Sequence, residues 1–120
     1  MHLGLIGGIG PAATVVYYQR LVQRLRAIGQ PLELTIVNAD VHVLVKNALS
    51  QNKQEQAAIY AHHIDQLKGA GADLATITSL GGHFCYDETI PLSSLPLISA
   101  IAPLDDHFVA QGIGTIGLLG

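Results

Sequence analysis

Apolar and polar residues follow two different periods along this chain, and together these periods predict strands separated by helices. Short runs rich in apolar residues at Leu3–Ile6, Leu32–Val37 and Leu74–Thr78 predict strands of a buried sheet. Between the runs, apolar residues recur at helical spacing, and the two helical patterns end at Gly29 and Gly69. Strands that alternate with helices are typical of a parallel sheet with helices on both faces. We therefore predict an α/β fold built from βαβ units.

The second half of the chain continues this alternation in shorter pieces. We expect Leu80–His83 to be a loop that leads into a short helix. The other predicted elements are helices at Val41–Leu49, Lys53–Gly69 and Pro103–Gln111 and strands at Leu97–Ile98 and Ile116–Leu119. In the long central helix, Ala57, Tyr60, Ile64 and Leu67 form one apolar stripe that we expect to face the sheet.

The first and last strands have similar sequences. Leu3–Gly7 reads Leu-Gly-Leu-Ile-Gly, and Ile116–Gly120 reads Ile-Gly-Leu-Leu-Gly. A chain that ends on an apolar strand is unusual, because termini are usually polar and exposed. We therefore expect residues 1–113 to form one lobe and residues 114–120 to form the first strand of a second, truncated lobe of similar design.

The composition excludes several kinds of partner. Apolar residues make up 49% of the chain, charged residues only 12%, and the net charge is −3 with no basic stripe, so we expect no nucleic-acid partner. We also expect no membrane partner, since no run reaches the length of a span. Cys85 is the one cysteine, which leaves no internal disulfide, and together with the lack of a signal peptide this predicts a cytoplasmic protein.

The turn after the first strand is the first candidate for chemistry. Gly7–Pro11 reads Gly-Gly-Ile-Gly-Pro and stands between a strand and a helix, where free N–H groups favour a carboxylate or phosphate. The spacing fits neither the dinucleotide-binding fingerprint nor a P-loop. A tight turn without a ligand is the alternative that this motif alone leaves open.

Two further loops fall on the same predicted edge, because ligands of such sheets bind at the carboxyl ends of the strands. Asp40 follows the second strand, and we favour helix capping over ligand contact for it. Ser79 follows the third strand, where a reacting group is expected. For His83 we favour a structural role, and for Cys85 that of a small buried apolar residue.

Other histidines give no metal site, since His62 and His63 lie in a helix without a spaced partner. We therefore predict no metal and no organic cofactor.

The loops together resemble the aspartate/glutamate racemase family. Gly4–Thr14, followed by Tyr17 and Tyr18, is similar to its G-G-M-G-P-E-A-T signature, and Asn38–His42 is similar to its N-x-D-x-H stretch. The family's G-A-D, C-N-T-x-H and final strand motifs have counterparts at Gly69–Asp73, Ser79–His83 and Gly114–Gly120. The resemblance covers essentially the whole chain in order, and it implies one lobe of a two-lobed fold.

The resemblance also implies an activity. Family members invert the α-carbon of an acidic amino acid without pyridoxal phosphate, using two bases, usually cysteines, on opposite faces of the substrate. It places Ser79 as the first base, and it places Gly8, Ile9, Gly10, Thr14, Leu80 and Gly81 around the substrate. The implied partners are a small amino acid or related acid and further copies of the protein, as a homodimer or larger homo-oligomer.

The chain departs from the family motifs at polar positions. Ser79 replaces the first cysteine, Leu80 and Gly81 replace the asparagine and threonine that follow it, and Ala12 replaces a glutamate. Three hypotheses follow: a racemase-like isomerase, a non-catalytic protein that binds a small acid on the same fold, and an inactive isolated lobe.

Overall fold

The computed structural model describes residues 2–8, 11–78 and 80–98. Strands and helices alternate along these residues, as the hydrophobic pattern predicts. Their bounds are β1 (His2–Gly7), α1 (Pro11–Ala27), β2 (Glu33–Asn38), α2 (Val41–Leu49), α3 (Lys53–Gly69), β3 (Leu74–Ile77), α4 (Tyr86–Thr89) and β4 (Leu97–Ile98). The predicted helix at 103–111 and strand at 116–119 lie outside the described residues, as does the proposed lobe boundary at residue 113.

The sheet is parallel, in the order β2-β1-β3-β4. The central strand β1 pairs with β2 from His2 opposite Glu33 to Gly7 opposite Asn38, and with β3 up to Ile6 opposite Ile77. The connection from β1 to β2 and the connection from β2 to β3 cross the sheet in opposite directions. Right-handed crossovers therefore place α1 on one face and α3 on the other, which confirms the predicted α/β architecture.

The core lies between the sheet and α3. All four members of the predicted stripe on α3 are buried, together with Leu44 of α2 and Ile6 and Ile77 of the sheet. Each large aliphatic side chain buried in this way contributes about 1.5–3 kcal/mol. The packing is close at Gly4, because a Cβ there would lie 2.7 Å from Cδ1 of Leu67. Gly4 therefore lets α3 approach the central strand.

Helix α1 is packed less completely than α3. Thr14 is its one buried residue, whereas Val15, Tyr18 and Ile28 on the predicted apolar face are 52%, 47% and 62% exposed. A groove of about 780 Å³ runs along the helix beside Val16 and Leu21. The periodicity correctly predicts the helix, and it does not show how much of the apolar face another element covers.

Local chemistry explains several element ends. The carboxylate of Asp40 accepts a hydrogen bond of 2.8 Å from the N–H of His42, so Asp40 caps α2 as predicted. Helix α1 ends before Gly29, which takes a φ of 68°. The N–H of Gly29 donates to the carbonyl of Arg26 (3.1 Å) and that of Gln30 to the carbonyl of Leu25 (2.9 Å), the Schellman pattern. The predicted stop at Gly29 is therefore confirmed.

The stretch after β3 differs from its prediction. The sequence predicts a loop at Leu80–His83, and the backbone instead forms a 3₁₀ helix over Leu80–Cys85 that continues into α4. Short 3₁₀ turns commonly connect other elements and are too short for a hydrophobic period to reveal them. Across the described ranges, no helix is long and apolar enough to cross a membrane.

Candidate functional site

Three loops meet at the carboxyl edge of the sheet. The register ends β1 and β2 side by side at Gly7 and Asn38, and β3 ends opposite Ile6. The N–H of Ala39 then donates to the carbonyl of Gly7 (2.8 Å), and the N–H of Thr78 donates to that of Ile6 (3.1 Å). The loops after the first three strands therefore lie at one edge, where the sequence pattern places them.

Gly8, at the start of the glycine turn, packs closely against the loop after β2. Gly8 is buried and has a φ of 137°, a conformation that side chains rarely adopt. A Cβ on Gly8 would lie 2.9 Å from the carbonyl carbon of Ala39 and would overlap its oxygen. Ala39 is itself fully buried. Only glycine fits this position, so the backbone at the start of the turn is held close to the end of β2.

Thr14 lies in the first turn of α1, close to Gly7 at the end of β1. It is 9% exposed, and its Oγ1 is 2.8 Å from Oγ1 of Thr78, which is 3% exposed. The hydroxyl of Thr78 also donates to the carbonyl of Ile6 (3.2 Å). The structure thus brings two of the expected site residues, Gly8 and Thr14, to this edge. It adds Thr78, which the sequence analysis does not select because no local motif marks it.

The other expected site residues are described only in part. Ile9, Gly10 and Ser79 lie outside the described residues, and their roles stay predictions. Leu80 and Gly81 begin the 3₁₀ helix that follows β3 at the same edge. Ser79 follows Thr78 directly, and consecutive Cα atoms are about 3.8 Å apart. Residue 79 is therefore covalently linked to Thr78, whose hydroxyl is hydrogen-bonded to Thr14 of α1.

His83 and Cys85 have structural positions. The His83 ring is buried and stacks on Tyr86 with a centroid separation of 5.7 Å and an interplanar angle of 17°. The hydroxyl of Tyr86 in turn donates to the carbonyl of Leu97 (2.9 Å). This packing joins the 3₁₀ helix to β4 and agrees with the structural role favoured for His83.

Cys85 is fully buried and belongs to the hydrophobic core, as predicted. Burial raises the pKa of its thiol, although a hydrogen bond from Thr89 opposes the shift. A thiol with a raised pKa supplies little thiolate near neutral pH. Cys85 is therefore poorly suited to replace the cysteine that is missing at position 79.

The acidic, histidine and cysteine side chains of the described residues do not group into sets of three that would hold a metal ion. His62 and His63 lie next to each other on α3 with tilted rings 5.7 Å apart. His63 accepts or donates a hydrogen bond of 3.0 Å with Gln66 on the same helix. At the carboxyl edge, the described polar groups include backbone amides, the hydroxyls of Thr14 and Thr78, the exposed side-chain amide of Asn38 and the capping carboxylate of Asp40. Such an edge is suited to bind an anion through backbone N–H groups.

Solved structures with the same fold identify the architecture. A crystal structure of a proposed Asp/Glu racemase from Yersinia pestis matches 92% of this chain with a TM-score of 0.81 at 24% sequence identity. An aspartate racemase homologue from Pyrococcus horikoshii matches 92% with a TM-score of 0.76 at 23% identity. The chain spans 50% of the length of each. These similarities show a shared fold that corresponds to about half of either structure.

Sequence comparison gives the family. Among curated proteins, none matches the chain. The sequence profile of the family described as Asp/Glu/Hydantoin racemase matches residues 6–120, which includes the glycine turn, the ends of β2 and β3 and the 3₁₀ helix. The chain therefore belongs to the Asp/Glu/hydantoin racemase family.

Proposed function

We propose that this chain forms one half of the active site of a cofactor-independent isomerase that inverts the α-carbon of an acidic amino acid, aspartate or glutamate. The observation that carries the proposal is the meeting of the glycine turn, the Asp40 loop and the end of β3 at one edge, within a chain of this family. In the proposal, residues 1–113 are one lobe and residues 114–120 begin a second lobe, which supplies the opposite face of the site.

The glycine turn and the start of α1 would bind a substrate carboxylate. Helix α1 begins at Pro11, which has no N–H of its own, and it carries no acidic residue in its first turn. The free amides that follow Pro11 and the positive end of the helix dipole favour an anion there. Gly8, Ile9 and Gly10 would approach the carboxylate through their backbones, and Leu80 and Gly81 would contact it from the end of β3.

Ser79 would act as the base on one face of the α-carbon. A serine hydroxyl gives up its proton only with help from its surroundings, whereas the thiol that most family members are expected to carry has a pKa of about 8.5. Replacing Ser79 with cysteine should therefore maintain or raise proton abstraction. In the proposal the second base comes from the second lobe, because inversion requires a proton donor on the opposite face.

A binding protein without catalysis is the second candidate. It is favoured by the buried, high-pKa thiol of Cys85, since the one cysteine of the chain cannot serve as the base. It is also favoured by the apolar Leu80 and the small Gly81 at positions where polar substrate contacts are expected. In this alternative, a small acid binds between the lobes and keeps its α-proton.

The experiment that separates the candidates is stereospecific deuterium exchange at the α-carbon, followed by NMR. The complete gene product is incubated in D₂O with each enantiomer of aspartate and glutamate, as wild type, Ser79→Ala and Ser79→Cys. The matched control is Ser94→Ala, because Ser94 is part of an exposed hydrogen bond to Asp65 on α3. The 120-residue chain is run in parallel and should not exchange, since it carries one face of the site only.

We expect Ser79→Ala to lower deuterium exchange on one face of the α-carbon far more than it lowers ligand affinity, because the missing group acts in the transition state. Ser79→Cys should match or exceed the wild type. Binding of the acid without exchange in any variant would support the second candidate. Equal exchange by wild type and Ser79→Ala on both faces would reject Ser79 as the base.

Self-association is also part of the proposal. Val15, Val16 and Tyr18 on α1 are 52%, 42% and 47% exposed, and exposed apolar surface favours association. We expect the 120-residue chain to form dimers or larger species in light scattering. A charge introduced at Val16, which is exposed beside the groove, should weaken the association.

A further inference from the structure

Two buried threonines connect elements that lie far apart in the sequence. Thr14 is in the first turn of α1, and Thr78 is the residue directly after β3. Their hydroxyl oxygens are 2.8 Å apart across 64 residues of sequence, and both side chains are buried. This pair, the Thr14–Thr78 bridge, crosses over the end of the central strand β1.

Counting protons shows how the two hydroxyls of the bridge can share their bonds. Thr78 has a single hydroxyl proton, which it donates to the carbonyl of Ile6 (3.2 Å). The backbone N–H of Thr78 donates to the same carbonyl (3.1 Å). Where Thr78 keeps that bond, Thr14 donates in the bridge; the two hydroxyl oxygens themselves are compatible with either donor. In both arrangements the hydroxyl of Thr14 is hydrogen-bonded to Thr78.

Gly7 makes the bridge sterically possible. A Cβ on Gly7 would lie 2.6 Å from Oγ1 of Thr14. On the other side, the carbonyl of Gly7 accepts the N–H of Ala39 (2.8 Å). The end of β1 is thus fixed between the loop after β2 and the bridge. The start of α1 is joined through Thr14 to the strand end that leads to residue 79.

We infer that Thr14 is a positioning residue: through its buried bond to Thr78 it sets the start of α1 against the strand end that carries position 79. The sequence analysis expects Thr14 to contact the substrate, and the bridge gives its hydroxyl a different task. The inference rests on the proposed function for the importance of position 79. It predicts that the anion-favouring end of α1 and the group at position 79 are coupled through this one hydrogen bond.

A reporter thiol measures that coupling without any substrate. Ser79→Cys places a thiol at position 79, and its pKa is read from thiolate absorbance against pH. The parent chain, which keeps only the buried Cys85, is subtracted. A helix N-terminus lowers the pKa of a nearby thiol. Loss of the bridge should therefore raise the pKa of the reporter.

The variants isolate the bridge from general destabilisation. Thr14→Val and Thr78→Val remove one hydroxyl at nearly constant shape, and Thr14→Ser keeps the hydroxyl. The matched control is Thr76→Val, because Thr76 is also a buried threonine of β3 but donates to the carbonyl of Ile98 on β4 (2.9 Å). Urea unfolding of every variant measures its stability.

We expect Thr14→Val and Thr78→Val each to raise the pKa of the reporter by at least about 0.3 pH unit, with no further rise in the double variant. Thr14→Ser and Thr76→Val should leave the parent value. A Thr14→Val chain that loses stability but keeps the parent pKa would overturn the inference, as would additive shifts. Failure of the proposed function would be seen separately, as an absence of deuterium exchange in the complete gene product while the thiol shifts persist.

Discussion

Substitution of Gly8 by alanine tests the construction of the glycine turn. The φ of 137° at Gly8 and the overlap of a Cβ with the carbonyl of Ala39 act together. An unfavourable positive φ costs about 1–3 kcal/mol. Relief of the overlap requires Ala39 to move, and Ala39 is buried and hydrogen-bonded to Gly7. Weakening that bond adds about 1 kcal/mol, so we expect Gly8→Ala to cost about 2–4 kcal/mol in total.

Two other glycines supply matched controls. Gly29 has a φ of 68°, but a Cβ on it would meet no atom within 4 Å, so Gly29→Ala measures the cost of positive φ alone, about 1–2 kcal/mol. Gly69 is the last residue of α3 and also has open space, so Gly69→Ala should be neutral or slightly stabilising. The difference between Gly8→Ala and Gly29→Ala therefore measures the contact with Ala39 together with the greater strain of a φ of 137° than of 68°.

Urea unfolding followed by circular dichroism is the assay for this series. A loss of about 3 kcal/mol lowers the unfolding midpoint by about 1–3 M urea for a domain of this size. If Gly8→Ala costs no more than Gly29→Ala, the close contact between the glycine turn and Ala39 does not stabilise the fold, and the reasoning is refuted.

Two further predictions concern buried polar groups. Asn47 donates to the Oε1 of Gln56 (2.8 Å) in the interior, where the Nε2 of Gln56 has no hydrogen-bond partner among the described residues. Gln56→Met should cost about 1–3 kcal/mol in urea unfolding, because it leaves the Asn47 amide without its acceptor. Adding Asn47→Leu should recover part of that loss. A further, additive loss in the double variant would contradict this prediction. Burial also raises the pKa of Cys85 and of Tyr60, so both groups hold their protons more tightly in the folded state. The stability that they contribute is complete below the unfolded pKa values of about 8.5 and 10, and it is lost as the pH rises through the folded values. Cys85→Ala and Tyr60→Phe should each flatten the decline of the free energy of unfolding between neutral and alkaline pH. An unchanged slope in both variants would contradict the assignment.

The sequence predicts those parts of the fold that depend on neighbouring residues. The stop of α1 at Gly29 and the cap of α2 at Asp40 are local chemistry, and both are confirmed. The stripe on α3 has a clear helical period and faces the sheet as predicted. The meeting of the first three strand ends at one edge follows from parallel pairing, which the alternation of strands and helices indicates.

What the sequence does not predict depends on contacts between distant residues. The Thr14–Thr78 bridge joins two threonines whose surroundings in the sequence carry no common motif. The apolar period of α1 cannot show whether another element covers it, and Val15 and Ile28 remain exposed. The 3₁₀ helix after β3 contains two consecutive glycines, which predict a loop from propensity but are compatible with a tight turn.

The central claim of the account is that a small acid binds at the carboxyl edge of β1, β2 and β3. The most direct test is a titration of the isotope-labelled chain with L- and D-aspartate, followed by the amide resonances in NMR, with succinate and the uncharged asparagine as comparison ligands. We predict that the largest shifts occur at Gly8, at residues 12–14 and at residues 78–81, and that they are weaker for asparagine. Shifts confined to the groove beside α1 or to the opposite edge around His2, or the absence of shifts at millimolar ligand in both the chain and the complete gene product, would contradict it.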